Sequence, residues 1–252
     1  LACLARKEPL VLSDMKAIIV TGAAGNLGAA VAAELARRGA SLICLDRSQD
    51  KLDRLLASLP ATAEVLPIAG TDMTSQESCA AAVAQATGRF GGICALVNTV
   101  GGFQAGPIAK ALGQWDAMLT ANARTALAIS AAVLPAMQSA HYGRIVHVAA
   151  MAGLKAPAGL AAYAASKAAL IRLTESIAEE YRGDGITANC VLPSVIDTPQ
   201  NRAAMPKADT SGWVSPQAIA RLIAFLVSPA GGVVTGAAIP ATGPGSEVEP
   251  SA

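Results

Sequence analysis

Two ionisable side chains, Tyr163 and Lys167, stand four residues apart in the Ala-rich run AAMAGLKAPAGLAAYAASKAAL that covers positions 149–170. Alanine is the strongest helix former, so the run reads as helical, and residues i and i+4 share a helix face. The phenol and the ammonium therefore look into one space, a proton donor beside a fixed positive charge. A phenol titrates near ~10 in water and a neighbouring cation favours its phenolate. The spacing thus predicts that Lys167 brings Tyr163 toward the range in which a general acid/base works. Tyr-x-x-x-Lys also occurs by chance on ordinary amphipathic helices, so the rest of the chain must decide between chemistry and packing.

A second candidate lies near the start, where Thr21-Gly22-Ala23-Ala24-Gly25-Asn26-Leu27-Gly28 separates a strand-like run (16–20) from a helical one (27–38). Glycines at a strand-to-helix turn let the backbone approach a pyrophosphate, which then sits against the positive helix N-terminus. About twenty residues on, Asp46 closes the second strand-like run, where a carboxylate accepts hydrogen bonds from an adenosine ribose and repels a 2′-phosphate. NAD(H) is favoured over NADP(H). Arg47 follows directly and tempers the preference, because a guanidinium pairs well with phosphate; a merely polar strand end would read the same way.

The elements that must hold these residues alternate. Strand-like runs fall at 16–20, 41–45, 64–67, 93–98, 144–148, 187–192 and 237–240, and helical patterns at 27–38, 49–59, 75–90, 112–139, 161–182 and 216–226. Strands separated by helices mean βαβ units and a parallel sheet covered on both faces. The expected fold is α/β, a single Rossmann-type doubly wound parallel sheet with its ligand crevice at the carboxyl ends of the strands. Residues 15–243 would form this domain with a built-in substrate site, between an N-terminal extension (1–14) and a C-terminal tail (244–252).

Composition narrows the function classes. Of 252 residues 53% are hydrophobic but only 3% aromatic, so the core is aliphatic, and the formal net charge of +1 offers no footprint for nucleic acid or an anionic membrane. Apolar runs such as 125–137 fall short of the roughly 20 residues of a membrane span. The expectation is a soluble, cytoplasmic protein with a small-molecule partner, and no secretory signal is visible at the start. Cys3, Cys44, Cys79, Cys94 and Cys190 lack ligand or redox spacing, and so do His141 and His147; they read as structural residues of a reducing compartment, with no metal site.

Taken in order, these motifs resemble the short-chain dehydrogenase/reductase family from about Met15 to Gly243. The resemblance implies an NAD (or NADP) dependent oxidoreductase in which Tyr163 is the catalytic acid/base, Lys167 binds the nicotinamide ribose, and Asn122 holds a proton-relay water. It assigns the cofactor to Gly22, Gly25, Asn26, Leu27 and Gly28, to Asp46 and Arg47, and to Asp72 and Met73 beside the adenine. Asn98 and Gly101 belong to a turn, Asn-Thr-Val-Gly, that resembles the family's Asn-Asn-Ala-Gly, while Pro193, Ile196 and Thr198 match positions near the nicotinamide. It also implies a homodimer or homotetramer formed through the helical patterns 112–139 and 161–182.

Three positions depart from the family pattern. Asn26 stands where glycine is usual, Ser194 follows Pro193 where glycine is usual, and Ala150 occupies the position thirteen residues before the tyrosine that resembles the family's catalytic serine. Loss of one such donor from an oxyanion hole costs ~2.7–4 kcal/mol. Alanine there, the Gly-x-x-Gly-x-x-Gly loop, the turn Gly101-Gly102-Phe103 and the run 191–209 are similar to dihydropteridine reductases, whose electron-poor quinonoid substrate needs less carbonyl polarisation. Three readings stay open: a carbonyl reductase or alcohol dehydrogenase that tolerates Ala150, a pteridine-type reductase, and a non-catalytic dinucleotide-binding sensor or scaffold. Phe103, Met151, Leu154 and the segment 200–213 are the expected substrate walls.

Overall fold

In the computed structural model, residues 12, 13 and 15–243 are described. Cys3 and the tail 244–252 lie outside them. Seven parallel strands form one sheet in the order β3-β2-β1-β4-β5-β6-β7, with β1 at Ala17–Thr21, β2 at Leu42–Asp46, β3 at Val65–Ala69, β4 at Ile93–Asn98, β5 at Gly143–Val148, β6 at Ile186–Pro193 and β7 at Ala238–Ala241. The chain starts in the middle and winds outward both ways, so the topological switch lies between β1 and β4, and the crevice opens at their carboxyl ends.

Side-chain alternation along the strands builds two cores. Ile18 and Val20 of β1 face α1 (Asn26–Arg37), α2 (Gln49–Ser58) and α8 (Pro216–Val227). Ala17 and Ile19 face α3 (Gln76–Phe90), α5 (Thr125–Ser139) and α6 (Ala161–Glu180). Strands buried on both faces read as near-continuous apolar runs, and β1 and β4 are buried at every position, with polar side chains only at their last residues, Thr21 and Asn98. Leu12 is fully buried, and its amide donates to the Arg38 carbonyl, so the end of the stretch expected as an extension packs into the domain.

Three elements differ from the sequence expectation, each for a local reason. The long helix is broken into α4 (Leu112–Leu119), a π turn at Thr120–Arg124 and α5. A π turn inserts one extra residue and rotates the following helix, a feature frequent at functional sites, and Asn122 sits in it. Leu112–Ser139 spans 28 residues and contains an 18-residue window of mean hydropathy 1.4, long and apolar enough to cross a bilayer by length and composition alone; half of that window is buried inside the fold, as in a core helix. The sixth helix stops at Glu180, because residues 182–184 tighten into a 3-10 turn ended by Gly185 at φ 71°. A short helix, α7 (Pro199–Ala204), lies where only a wall segment was expected; Thr198 caps it, accepting from the Asn201 amide, and Pro199 opens it.

Candidate active site

The glycine loop is closed by contact. Gly22 has φ 63°, and a Cβ on Gly28 would stand 2.1 Å from the Gly22 carbonyl oxygen. No side chain caps α1 and no acidic residue lies in its first turn, so the amides there remain available to an anion. Gly28→Ala is accordingly expected to misshape the loop and lower affinity for a dinucleotide by about tenfold or more, read by fluorescence titration with the reduced nicotinamide forms; unchanged binding would contradict the loop's role.

A cleft of about 700 Å³ opens over this loop, and Gly22, Gly25, Asn26, Leu27 and Gly28 all line it. Asp46 and Arg47 stand on its wall, as do Asp72, Met73 and Gly101. Asp46 also secures the loop, its Oδ2 accepting from the Ala24 amide at 3.1 Å and its Oδ1 from the Ser48 amide at 3.2 Å. Asp72 accepts from the Thr74 amide and hydroxyl, and these bonds hold its carboxyl below the ordinary range. Thr99 and Val100, the middle of the Asn-Thr-Val-Gly turn, line the cleft too, and so does Lys51, which the sequence does not single out; Lys51 lies in the helix after Asp46, and its side-chain direction has no local signal. A cradle without Cβ atoms, uncapped helix amides and a wall carboxylate together fit a dinucleotide.

Asn98, the last residue of β4, is fully buried and does not border the cleft; its side chain completes a chain of buried polar groups. Thr21 donates to Asn98 Oδ1 at 2.6 Å, and Asn98 Nδ2 donates to His147 Nδ1 at 3.3 Å. That leaves the His147 proton on Nε2, which donates to Ser130 Oγ at 3.2 Å. Pro193, Ile196 and Thr198 do not border this cleft; Pro193 ends β6 beside Ala241, Ile196 bridges to Val214 and Thr198 caps α7.

Gly101 joins the cleft to the Tyr163 region. A Cβ there would lie 2.7 Å from Asn122 Oδ1 and 3.2 Å from Lys167 Nζ. Asn122 is fully buried and clamps the next residue, with Gly102 N donating to Oδ1 and Nδ2 donating to Gly102 O, each at 3.0 Å. Nδ2 also donates to Ser166 Oγ at 2.9 Å. Both ends of the side-chain amide are thus engaged by the protein, and they fix Gly102 and Ser166 around it.

Tyr163 and Lys167 share a helix as expected, but their electrostatics differ from the expectation. Lys167 Nζ donates to the Val148 carbonyl at 2.9 Å and lies 5.9 Å from the Tyr163 ring centroid. Burial pushes the phenol up to about 12 and the ammonium down to about 8. Desolvation disfavours both charged forms, and in the protein alone it outweighs the attraction that the spacing suggested. Ala150 lies two residues past β5, in extended conformation ahead of a 3-10 turn at Met151–Gly153, with only a methyl group to offer. Ser166 is no substitute, because its hydroxyl donates to the Tyr163 carbonyl.

Phe103 is 62% exposed and meets the Tyr163 ring edge-on, centroids 4.9 Å apart. Leu154 and Met205 are exposed as well. Trp213, expected on the wall, is buried instead. Cys44, Cys79, Cys94 and Cys190 are free and buried, and burial raises each of their thiols.

Residues 16–209 match the family described as short chain dehydrogenase. The chain is 30% identical over 241 residues to 2-(S)-hydroxypropyl-CoM dehydrogenase 3 of Xanthobacter autotrophicus, covering 90% of this chain and 94% of that protein. It is 31% identical to a 3-oxoacyl-acyl-carrier-protein reductase of Vibrio cholerae, covering 88% and 93%. Among solved structures, a short-chain type dehydrogenase/reductase from Mycobacterium ulcerans superposes with TM-score 0.87 at 25% identity over 93% of this chain and 90% of that one. An NAD+-bound xylitol dehydrogenase does so with TM-score 0.82 at 28% identity over 90% and 98%.

Proposed function

The chain belongs to the short-chain dehydrogenase/reductase family, and on that premise we propose that it is an NAD(H)-preferring cytoplasmic oxidoreductase with Tyr163 as its proton donor. The observation that carries this reading is the junction at Gly101, where the dinucleotide-sized cleft meets Lys167 and Asn122. Asp46 on the cleft wall supports NAD(H), since the 2′-phosphate that NADP(H) carries on its adenosine ribose would be repelled there, and similarity to an NAD+-bound xylitol dehydrogenase agrees. The dinucleotide, when bound, supplies or takes the hydride.

The chain's own residues handle the proton. Burial keeps Tyr163 neutral at working pH, so it acts as a general acid toward the oxygen or nitrogen that gains negative charge. Lys167 is charged below about 8, and its ammonium, fixed by the Val148 carbonyl, stabilises the phenolate that remains. Asn122 holds Gly102 in place and thereby aims Phe103 at the Tyr163 ring. With no hydroxyl at Ala150, the protein polarises the substrate through Tyr163 alone. A flat, electron-poor carbonyl or imine-like carbon, of which a quinonoid dihydropterin is one case, suits a site with an exposed phenyl edge and one donor.

NADH oxidation against a quinonoid dihydropterin, ketones, quinones and 3-oxoacyl thioesters tests the reading; no turnover on any of them despite NADH binding would favour a non-catalytic dinucleotide sensor. Ala150→Ser should raise kcat/KM on simple ketones by roughly tenfold or more, because it restores a donor of the kind worth ~10²–10³ in oxyanion holes. No gain would count against an ordinary ketone as substrate. Exposed Leu112, Trp115 and Leu127 on α4 and α5 support a homodimer or homotetramer built on these helices.

A further inference from the structure

We propose that Asn26 and Gln200 form a latch that seats α7 on the glycine loop and sets the rate at which the dinucleotide leaves. This rests on the cofactor reading above. Asn26 Nδ2 donates to Gln200 Oε1 at 2.5 Å, joining positions 174 residues apart. The two side chains face a second recess of about 390 Å³ beside the loop, lined also by Ala24, Gly25, Lys51 and Arg54.

The way α7 is held makes this bond matter. No α7 residue is buried. Its other side-chain bonds fold back on its own segment: Thr198 accepts from the Asn201 amide, Asn201 Nδ2 donates to the Ile196 carbonyl, and Arg202 forks onto Asp197 at 2.6 and 2.7 Å. They shape the segment without fastening it. At its base, the Val214 amide donates to Val195 O and the Asp197 amide to Val214 O, with Val214 buried in the core. The segment is therefore pinned at the base, and the Asn26–Gln200 bond ties its outer helix to the loop where the cofactor phosphates bind. Glycine at position 26 has no side chain with which to make that tie. Asn26 and Gln200 are positioning residues, acting through α7 rather than on the reacting atoms.

A solvent-exposed bond between neutral amides has modest strength, so its removal should change rates by roughly three- to tenfold. In full-length protein without cofactor, Gln200→Ala should speed backbone hydrogen exchange across residues 199–206, read by mass spectrometry. With cofactor, stopped-flow fluorescence should show NADH leaving about three- to tenfold faster from Gln200→Ala and from Asn26→Gly. The exchanged pair Asn26→Gln with Gln200→Asn should restore both values, which a general loosening of the fold would not do. Parent-like exchange and dissociation in Gln200→Ala would overturn the latch, and so would faster exchange with unchanged NADH release. A parent that holds no NADH would instead remove the cofactor reading and the inference with it, a failure visible before any variant is made.

Discussion

Tyr163→Phe should lower kcat by about 10²–10⁴, the usual contribution of a positioned general acid, while NADH affinity stays within about twofold. The ring is retained, so the edge contact with Phe103 at 4.9 Å survives, and the cleft proposed for the dinucleotide is walled by the glycine loop, Asp46 and Asp72, which the substitution leaves unchanged. The measurement is steady-state turnover on whichever substrate the panel identifies, beside NADH fluorescence titration of the same preparations. Retained turnover in the phenylalanine variant would remove Tyr163 from the mechanism. Lost NADH binding would show that the hydroxyl supports the fold of the site rather than the proton transfer.

The second large effect is on acid stability and comes from His147. The ring is fully buried among Asn98 and Ser130, with Lys167 near enough to add to the effect, and burial holds its pKa down to about 3 from an ordinary 6.5. Between pH 6.5 and 3 the unfolded chain binds a proton that the folded one refuses, so stability falls as pH drops through that window. The total loss on reaching pH 3 is on the order of 4 kcal/mol. Urea unfolding from pH 7 to pH 4 should show a steep decline in the parent. His147→Gln should be less stable at pH 7, having lost the ring's bond to Ser130, but its stability should fall less steeply below pH 6.5. Parallel declines in the two proteins would mean that His147 accepts a proton inside the fold. Lys167 works in the same direction at alkaline pH, with stability rising between about 8 and its unfolded value of 10.5 as the buried ammonium is relieved.

The sheet was legible because period and punctuation agree. Apolar runs of β-branched residues alternate with Ala-rich helical stretches, and the strand bounds moved by at most two residues. Glycine positions were legible because the backbone itself needs them: Gly28 touches the Gly22 carbonyl and cannot carry a side chain. The π turn at Thr120–Arg124 and α7 were not. Neither has a distinctive periodicity, since one is a single inserted residue in a helical pattern and the other a six-residue helix stabilised by a cap and Pro199.

The sequence by itself determined which chemistry-bearing residues exist and in what order, together with the helix that puts Tyr163 and Lys167 on one side. It also determined that position 150 carries a methyl group and no hydroxyl. The tertiary structure decided how those residues are loaded. It turned Lys167 toward the Val148 carbonyl, buried Asn98 behind the cleft, spent the Asn122 amide on Gly102 and Ser166, and brought Gln200 to Asn26. Each of these depends on desolvation or on a contact between residues far apart in the chain. Local spacing carries no information about either, because both are set by which elements the sheet stacks together.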